Sequence, residues 1–252
     1  MEFNRPRLKA RAKELIVTAE PRPILVGLIY LALSLVVSLL SSRIMGVNMD
    51  MDKLRTFSNY YLNGDFDYAF RYAVDMQPPT SAYFFNLLLE LASTIVSAGF
   101  IIFLLNTIRN TAASIGNLLD GFGMFLRIIC LSILEGLFIF LWSLLLVVPG
   151  LIAAYSYRQA IYLLLDHPEM SVIACIRESK RMMKGHKWEL FVLDLSFLGW
   201  YILTAVPVIG LIVQVWVTPY TNMSYALYYE NLRGADIYSR SIPNNTTPPW
   251  AL

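Results

Sequence analysis

Charge is what this sequence has least of. Of its 252 residues only 15% are Asp, Glu, Lys or Arg, whereas soluble domains carry about 25%. Cysteine and histidine are scarcer still, at two each. Cys130 falls in a predicted span and Cys175 in a predicted loop, depths too different for a disulfide. No Cys or His pair has ligand spacing, so no zinc site is expected. A net charge of +2 is too small to argue for nucleic acid. Also missing are a nucleophile–base pair, a phosphate-cradling glycine loop and paired carboxylates at a defined helical spacing. Neither an enzyme nor a cofactor is expected.

Hydrophobic residues supply 57% of the chain. They recur in apolar runs of about 17 residues or more, a length that bilayers require and soluble cores do not. The expected fold is all-α: an integral membrane bundle of about six transmembrane helices, with amphipathic interfacial helices and a small external loop domain.

Residues 1–23 hold Arg5, Arg7, Lys9, Arg11, Lys13 and Arg22, with Leu8, Ala12, Leu15, Ile16 and Ala19 on one helical face. This is a short amphipathic helix on an anionic leaflet, or simply a positive tail that fixes topology. The first span covers 24–42, with Ser34, Ser38 and Ser42 four apart, as close helix packing favours. Segment 43–82 is the only long polar stretch, and its seven aromatics from Phe57 to Tyr72 suit an interfacial lid. Asn63-Gly64-Asp65 marks a turn inside it. Spans follow at 83–105 and 125–148, separated by a polar loop at 106–124. Pro149-Gly150 is expected to end the third span. The fourth, 149–166, is short enough that a re-entrant or interfacial helix is its rival.

Segment 167–189 carries Arg177, Lys180, Arg181, Lys184 and Lys187 and reads as an interfacial helix, with Ile173, Ile176 and Met183 along the other side. The positive-inside rule puts this cluster and the basic N-terminus on the same cytoplasmic side, so a crossing at 149–166 is required. Spans at 190–206 and 208–231 and a cytoplasmic tail at 232–252 complete the scheme. Fourteen Lys/Arg then lie inside, fifteen counting Arg127, against four in the external segment. A weak repeat supports two similar hairpins: LWSLLLVVPGL at 141–151 and YILTAVPVIGL at 201–211, each followed by a tyrosine-bearing helix.

From Leu141 to Trp200 the runs V-P-G-L, Y-S-Y-R-Q-A, D-H-P-E-M-S, S-K-R-M-M-K-G-H-K-W and F-V-L-D-L-S-F-L-G-W resemble domain-of-unknown-function family 975. The resemblance extends to the basic N-terminal helix and to Y-A-L-Y-Y-E-N-L near the end. It implies a bacterial, multi-pass cell-membrane protein without an agreed activity, and it brings no catalytic residues; that both termini are cytoplasmic is the expectation from the Lys/Arg count. A fainter similarity to the membrane domain attached to some glycerophosphodiesterases hints at lipids.

Arg158, Glu90 and Glu135 are the ionisable residues deepest in predicted spans. A lone charge there costs at least about 2.5–3.5 kcal/mol, so they are expected to pair inside the bundle. Two uses fit: a structural clamp, or a polar site that grips a headgroup or relays protons. Arg177, Lys180, Arg181, Lys184 and Lys187 are either anionic-lipid ligands or a topology anchor. The function expected is a non-enzymatic membrane component that binds lipid, a hydrophobic peptide or a membrane partner protein. The alternative is a small transporter or flippase working around Arg158.

Overall fold

The structure, a computed structural model, describes residues 4–46, 51–75, 77–206 and 209–241. Among them every regular element is helical. The chain divides into two compact units, one of 1–31 and 94–252 and one of 32–93, with the boundary falling inside two continuous helices.

The smaller unit holds the end of α2 (Pro23–Ile44), then α3 (Met51–Leu62), α4 (Phe66–Asp75) and the start of α5 (Thr80–Ile108). The hydroxyl of Ser41 on α2 meets Asn86 on α5. α3 and α4 form a short hairpin at the expected Asn63-Gly64-Asp65 turn, where Gly64 takes φ +81°, a value that suits glycine. Tyr60 packs against Tyr68 and Tyr72, and Tyr61 edge-on against Phe66. Even so, Leu62, Phe66, Tyr68 and Phe70 are more than half exposed, as a face resting on an apolar or interfacial medium would be.

In the larger unit α1 (Arg5–Thr18) starts at Asn4, whose side chain accepts from the Arg7 amide, with Pro6 in the first turn. Its expected apolar face is real: Leu8, Ala12, Leu15 and Ile16 are buried, and the helix packs along α13 (Ile209–Ser241). The N-terminal helix is thus part of the protein core. Next come α6 (Asn117–Asp120), a 3-10 turn at Gly121–Met124, and α7 (Phe125–Leu145). After these lie α8 (Val147–Tyr157), α9 (Ala160–Asp166), α10 (Val172–Met182), α11 (Lys187–Leu195) and α12 (Leu198–Thr204).

Three expectations need correction. The expected span 149–166 is two helices, α8 and α9, interrupted at Arg158–Gln159; 190–206 is likewise split into α11 and α12 at Ser196–Phe197. Pro149-Gly150 does not end the third helix. α7 ends at Leu145, Leu146 is extended, and Pro149 sits in the first turn of α8, where its missing N–H is harmless. Gly150 is needed for closeness, since a Cβ there would overlap Ser143 across the hairpin. Gly210 similarly faces the Thr204 carbonyl in the α12–α13 hairpin; Pro207 lies outside the described residues, as does the chain beyond Ser241. Finally, Ile173 is exposed, so the buried side of α10 consists of Cys175, Ile176, Ser179 and Met182.

Pro219 stands inside α13, and Gly27 of α2 packs against its ring. The Thr221 hydroxyl bonds the Val217 carbonyl and the Asn222 amide bonds that of Thr218, so side chains supply donors around the proline. Among the described residues three segments are long and apolar enough to cross a membrane: Pro23–Ile44, Thr80–Ile108 and Asn117–Leu145. Together with bare apolar stretches such as Leu144 to Val148, they support a membrane protein.

Candidate functional site

The two helix interruptions build the site. At the first, Ser156 has a carbonyl and Gln159 an amide that no longer bond along the helix. The Ser179 hydroxyl donates to the Ser156 carbonyl at 2.8 Å and accepts from the Gln159 amide at 3.1 Å. One buried serine on α10 therefore satisfies both sides of the break. At the second, the Lys9 ammonium donates to the carbonyl and hydroxyl of Ser196, at 3.2 and 3.1 Å, and lies 4.4 Å from the Phe197 ring centroid. Burial, then the neighbouring Lys13 and Arg5, lower the Lys9 pKa. Neither Ser179 nor Lys9 was legible as a functional position, because each acts on a break that the sequence reads as continuous helix.

Between the breaks lies a cleft of about 370 Å³ lined by Arg158, Phe191, Asp194, Leu195, Leu198, Tyr201 and Tyr225. Arg158 ends α8, so its side chain leaves the helix at the opening and its guanidinium stacks 4.9 Å from the Tyr225 ring centroid. It is surrounded by protein yet keeps accessible surface, because it faces the open cleft. Such a cation–π contact contributes about 0.5–2 kcal/mol. The Tyr225 and Tyr201 hydroxyls are 3.2 Å apart. Tyr155 donates to Asp194 Oδ2 at 2.9 Å, which leaves Asp194 Oδ1 buried without a hydrogen-bond partner. The lining thus combines a cation, two phenols and a carboxylate with the apolar Phe191, Leu195 and Leu198.

Of the three expected deep ionisable residues, two come together. Glu135 on α7 lies within the electrostatic reach of Arg158, and its Oε1 is buried without a hydrogen-bond partner. Arg158 stacks on Tyr225 instead of closing an ion pair, so the expected Arg–carboxylate clamp is not formed by these two. Glu90 belongs to the smaller unit and is exposed there. The clamp that does exist involves other residues. Arg109 bonds Asp166 at 2.6 Å and Glu230 at 2.7 Å, Arg233 adds Asp166 at 3.2 Å, and Tyr229 donates to Asp166 at 2.9 Å. Burial works against the Arg109 charge, but the two carboxylates outweigh it and raise its pKa.

Arg177, Lys180 and Arg181 on α10 and Lys184 just beyond it are exposed, and Lys187 at the start of α11 is half-buried. Arg181 makes a bidentate pair with Glu178 on that surface. Among the described residues no group of His, Cys, Asp and Glu could hold a metal ion. No curated protein and no solved structure matches the chain. Residues 144–236, from the last turn of α7 into α13 and including every residue that lines the cleft, match the family model described as "Protein of unknown function (DUF975)".

Proposed function

We propose that this is a non-enzymatic protein of the bacterial cell membrane that holds an amphipathic lipid by its headgroup in the Arg158 cleft. In this reading both termini and the α10 basic face are cytoplasmic. The observation that carries it is a cleft lined at once by Arg158, by Asp194 with its unpartnered Oδ1, and by the apolar Phe191, Leu195 and Leu198. An anionic group would meet the guanidinium, a hydroxyl or ammonium donor would meet Asp194, and acyl chain would lie on the leucines. A phosphate headgroup that also carries a donor supplies all three. The exposed cations of α10 hold the anionic leaflet beside it, each contributing about 1 kcal/mol near the surface.

Native mass spectrometry of the purified chain tests this. Bound phospholipid should survive in the wild type, be lost in Arg158→Gln at an unchanged melting temperature, and persist when Arg177, Lys180, Arg181 and Lys184 are neutralised. A wild type without retained lipid would sink the proposal. The second reading, a flippase, draws on the same Asp194 carboxylate in the cleft lining. It requires labelled lipid to change leaflets in proteoliposomes at a rate that Asp194→Asn abolishes.

A further inference from the structure

The α7–α8 and α12–α13 hairpins both expose apolar residues away from their necks, and both are pinned at their necks by charged helices. We propose that α7–α8 and α12–α13 are leaflet-inserting hairpins: they enter the acyl chains of the leaflet that α1 and α10 face, and return without crossing.

The α12–α13 hairpin shows the geometry most directly. Its neck is the Ser196–Phe197–Tyr220 corner, held by Lys9, with Lys13 also 5.7 Å from the Tyr220 ring centroid. The helix that carries both lysines exposes Arg5, Arg7, Arg11, Lys13 and Glu14, a face that must stay in water or among headgroups. The neck therefore lies at the membrane surface. Beyond it no residue from Leu195 to Tyr229 is charged, and Leu198, Ile202, Ile209, Leu211 and Ile212 are exposed. α12 has seven residues and reaches about 10 Å; the barer part of α13, from Ile209 to Trp216, reaches about 12 Å. The hydrocarbon core is about 30 Å thick, so neither arm gets across. From Val217 onward α13 is largely buried in protein, so its lipid-accessible surface ends where the neck begins.

The α7–α8 hairpin is limited in the same way. α7 alone is long enough to cross, but its return arm α8 has eleven residues, about 16 Å. At the end of that arm Ser179 grips Ser156 and Gln159, and α10 there exposes Arg177, Lys180 and Arg181. Even with long side chains reaching for the surface, that level is not mid-bilayer. The barest stretch is Leu144 to Ile152, apart from Pro149 and Gly150; α7 also exposes Ile133, Leu137, Phe140 and Leu141 alongside α8, where burial resumes at Ala153. The cleft, bounded by Arg158, Asp194 and Tyr225 just below both necks, then opens at the headgroup level.

The distribution of Lys and Arg fits this arrangement as well as six spans, since a hairpin that returns leaves both its ends on one side. Single cysteines at the tips, Leu146→Cys and Ile212→Cys, in a full-length Cys130→Ser background distinguish the two. In intact cells an impermeant maleimide should miss both tips, label Asp65→Cys from outside, and label Lys184→Cys only after the cells are opened. A permeant bimane on either tip, after reconstitution, should be quenched by lipids spin-labelled deep in the acyl chain at least twofold more than by headgroup-labelled lipids. Tip labelling from outside would overturn the proposal in favour of crossing. Protected tips that no spin-labelled lipid quenches would also overturn it, because protein would then be covering them. Val148→Cys and Leu211→Cys repeat the reading if either first variant fails to fold.

Discussion

The Ser179 hydroxyl sits 2.8 Å from the Ser156 carbonyl across 23 residues, and the α8–α9 interruption depends on that contact. A helix broken inside an apolar bundle exposes backbone polar groups that nothing else there can satisfy. Here a neighbouring helix supplies one hydroxyl as donor and acceptor at once, and Arg158 can leave the helix axis to face the cleft.

Ser179→Ala should therefore destabilise the protein by about 1–3 kcal/mol, the cost of orphaning a buried carbonyl and amide. Ser171→Ala, which removes the α10 N-cap bond to Ala174, is the comparison, at about 1 kcal/mol. Thermal unfolding in detergent measures both. Equal small losses would mean that the break does not rely on Ser179.

The Arg109, Asp166, Glu230 and Arg233 cluster ties the end of α5 to α9 and α13. The Asp166 side chain is 7% exposed and accepts from Arg109 and Tyr229, whereas its ion-pair partner Arg233 is 35% exposed. Asp166→Asn should cost about 2–3 kcal/mol, because it leaves Arg109 half-buried and under-neutralised. Arg233→Ala should cost no more than about 1 kcal/mol, with water screening the remainder. A salt titration of the melting temperature separates them, since only the exposed pair should weaken markedly.

The hairpin glycines should differ. In Gly210→Ala the new Cβ would meet the Thr204 backbone carbonyl, which cannot rotate away; in Gly150→Ala it would meet Ser143. Both should lose about 1–3 kcal/mol to overpacking, but only Gly150→Ala should be rescued by Ser143→Gly. Rescue is read as recovered melting temperature in the double variant. A double variant no better than Gly150→Ala would show that the strain lies elsewhere.

The sequence carried the features with a period or a composition: the buried face of α1, the exposed basic cluster around α10 and the turn at Gly64. Arg158 stood out because a charge in an apolar run is costly wherever it falls. Its partners did not. Tyr225 and Asp194 are 67 and 36 residues further on, and only the two helix breaks bring them to it. Those breaks left no mark, since Arg158–Gln159 and Ser196–Phe197 contain neither proline nor glycine. Charge counting also had a blind spot: it reports which side a segment's ends occupy, and so cannot tell a returning hairpin from two spans.

Cys175 offers a probe of how tightly α10 is docked. It is fully buried, and burial raises its thiol pKa, with Arg127 pulling only weakly the other way. Because the folded value lies above the unfolded one, its contribution to stability is complete below the ordinary thiol pKa and is lost as pH rises through the folded value. The melting temperature should therefore decline in alkaline buffer, with a component that Cys175→Ala removes. Alkylation follows the same logic, since the thiolate is the reactive form. Exposed Cys130 should react with maleimide in detergent at neutral pH, and Cys175 only after denaturation. If Cys175 reacts as fast as Cys130, α10 is not packed on α8 and α9, and the arrangement that gives Arg158 its cleft does not persist in solution.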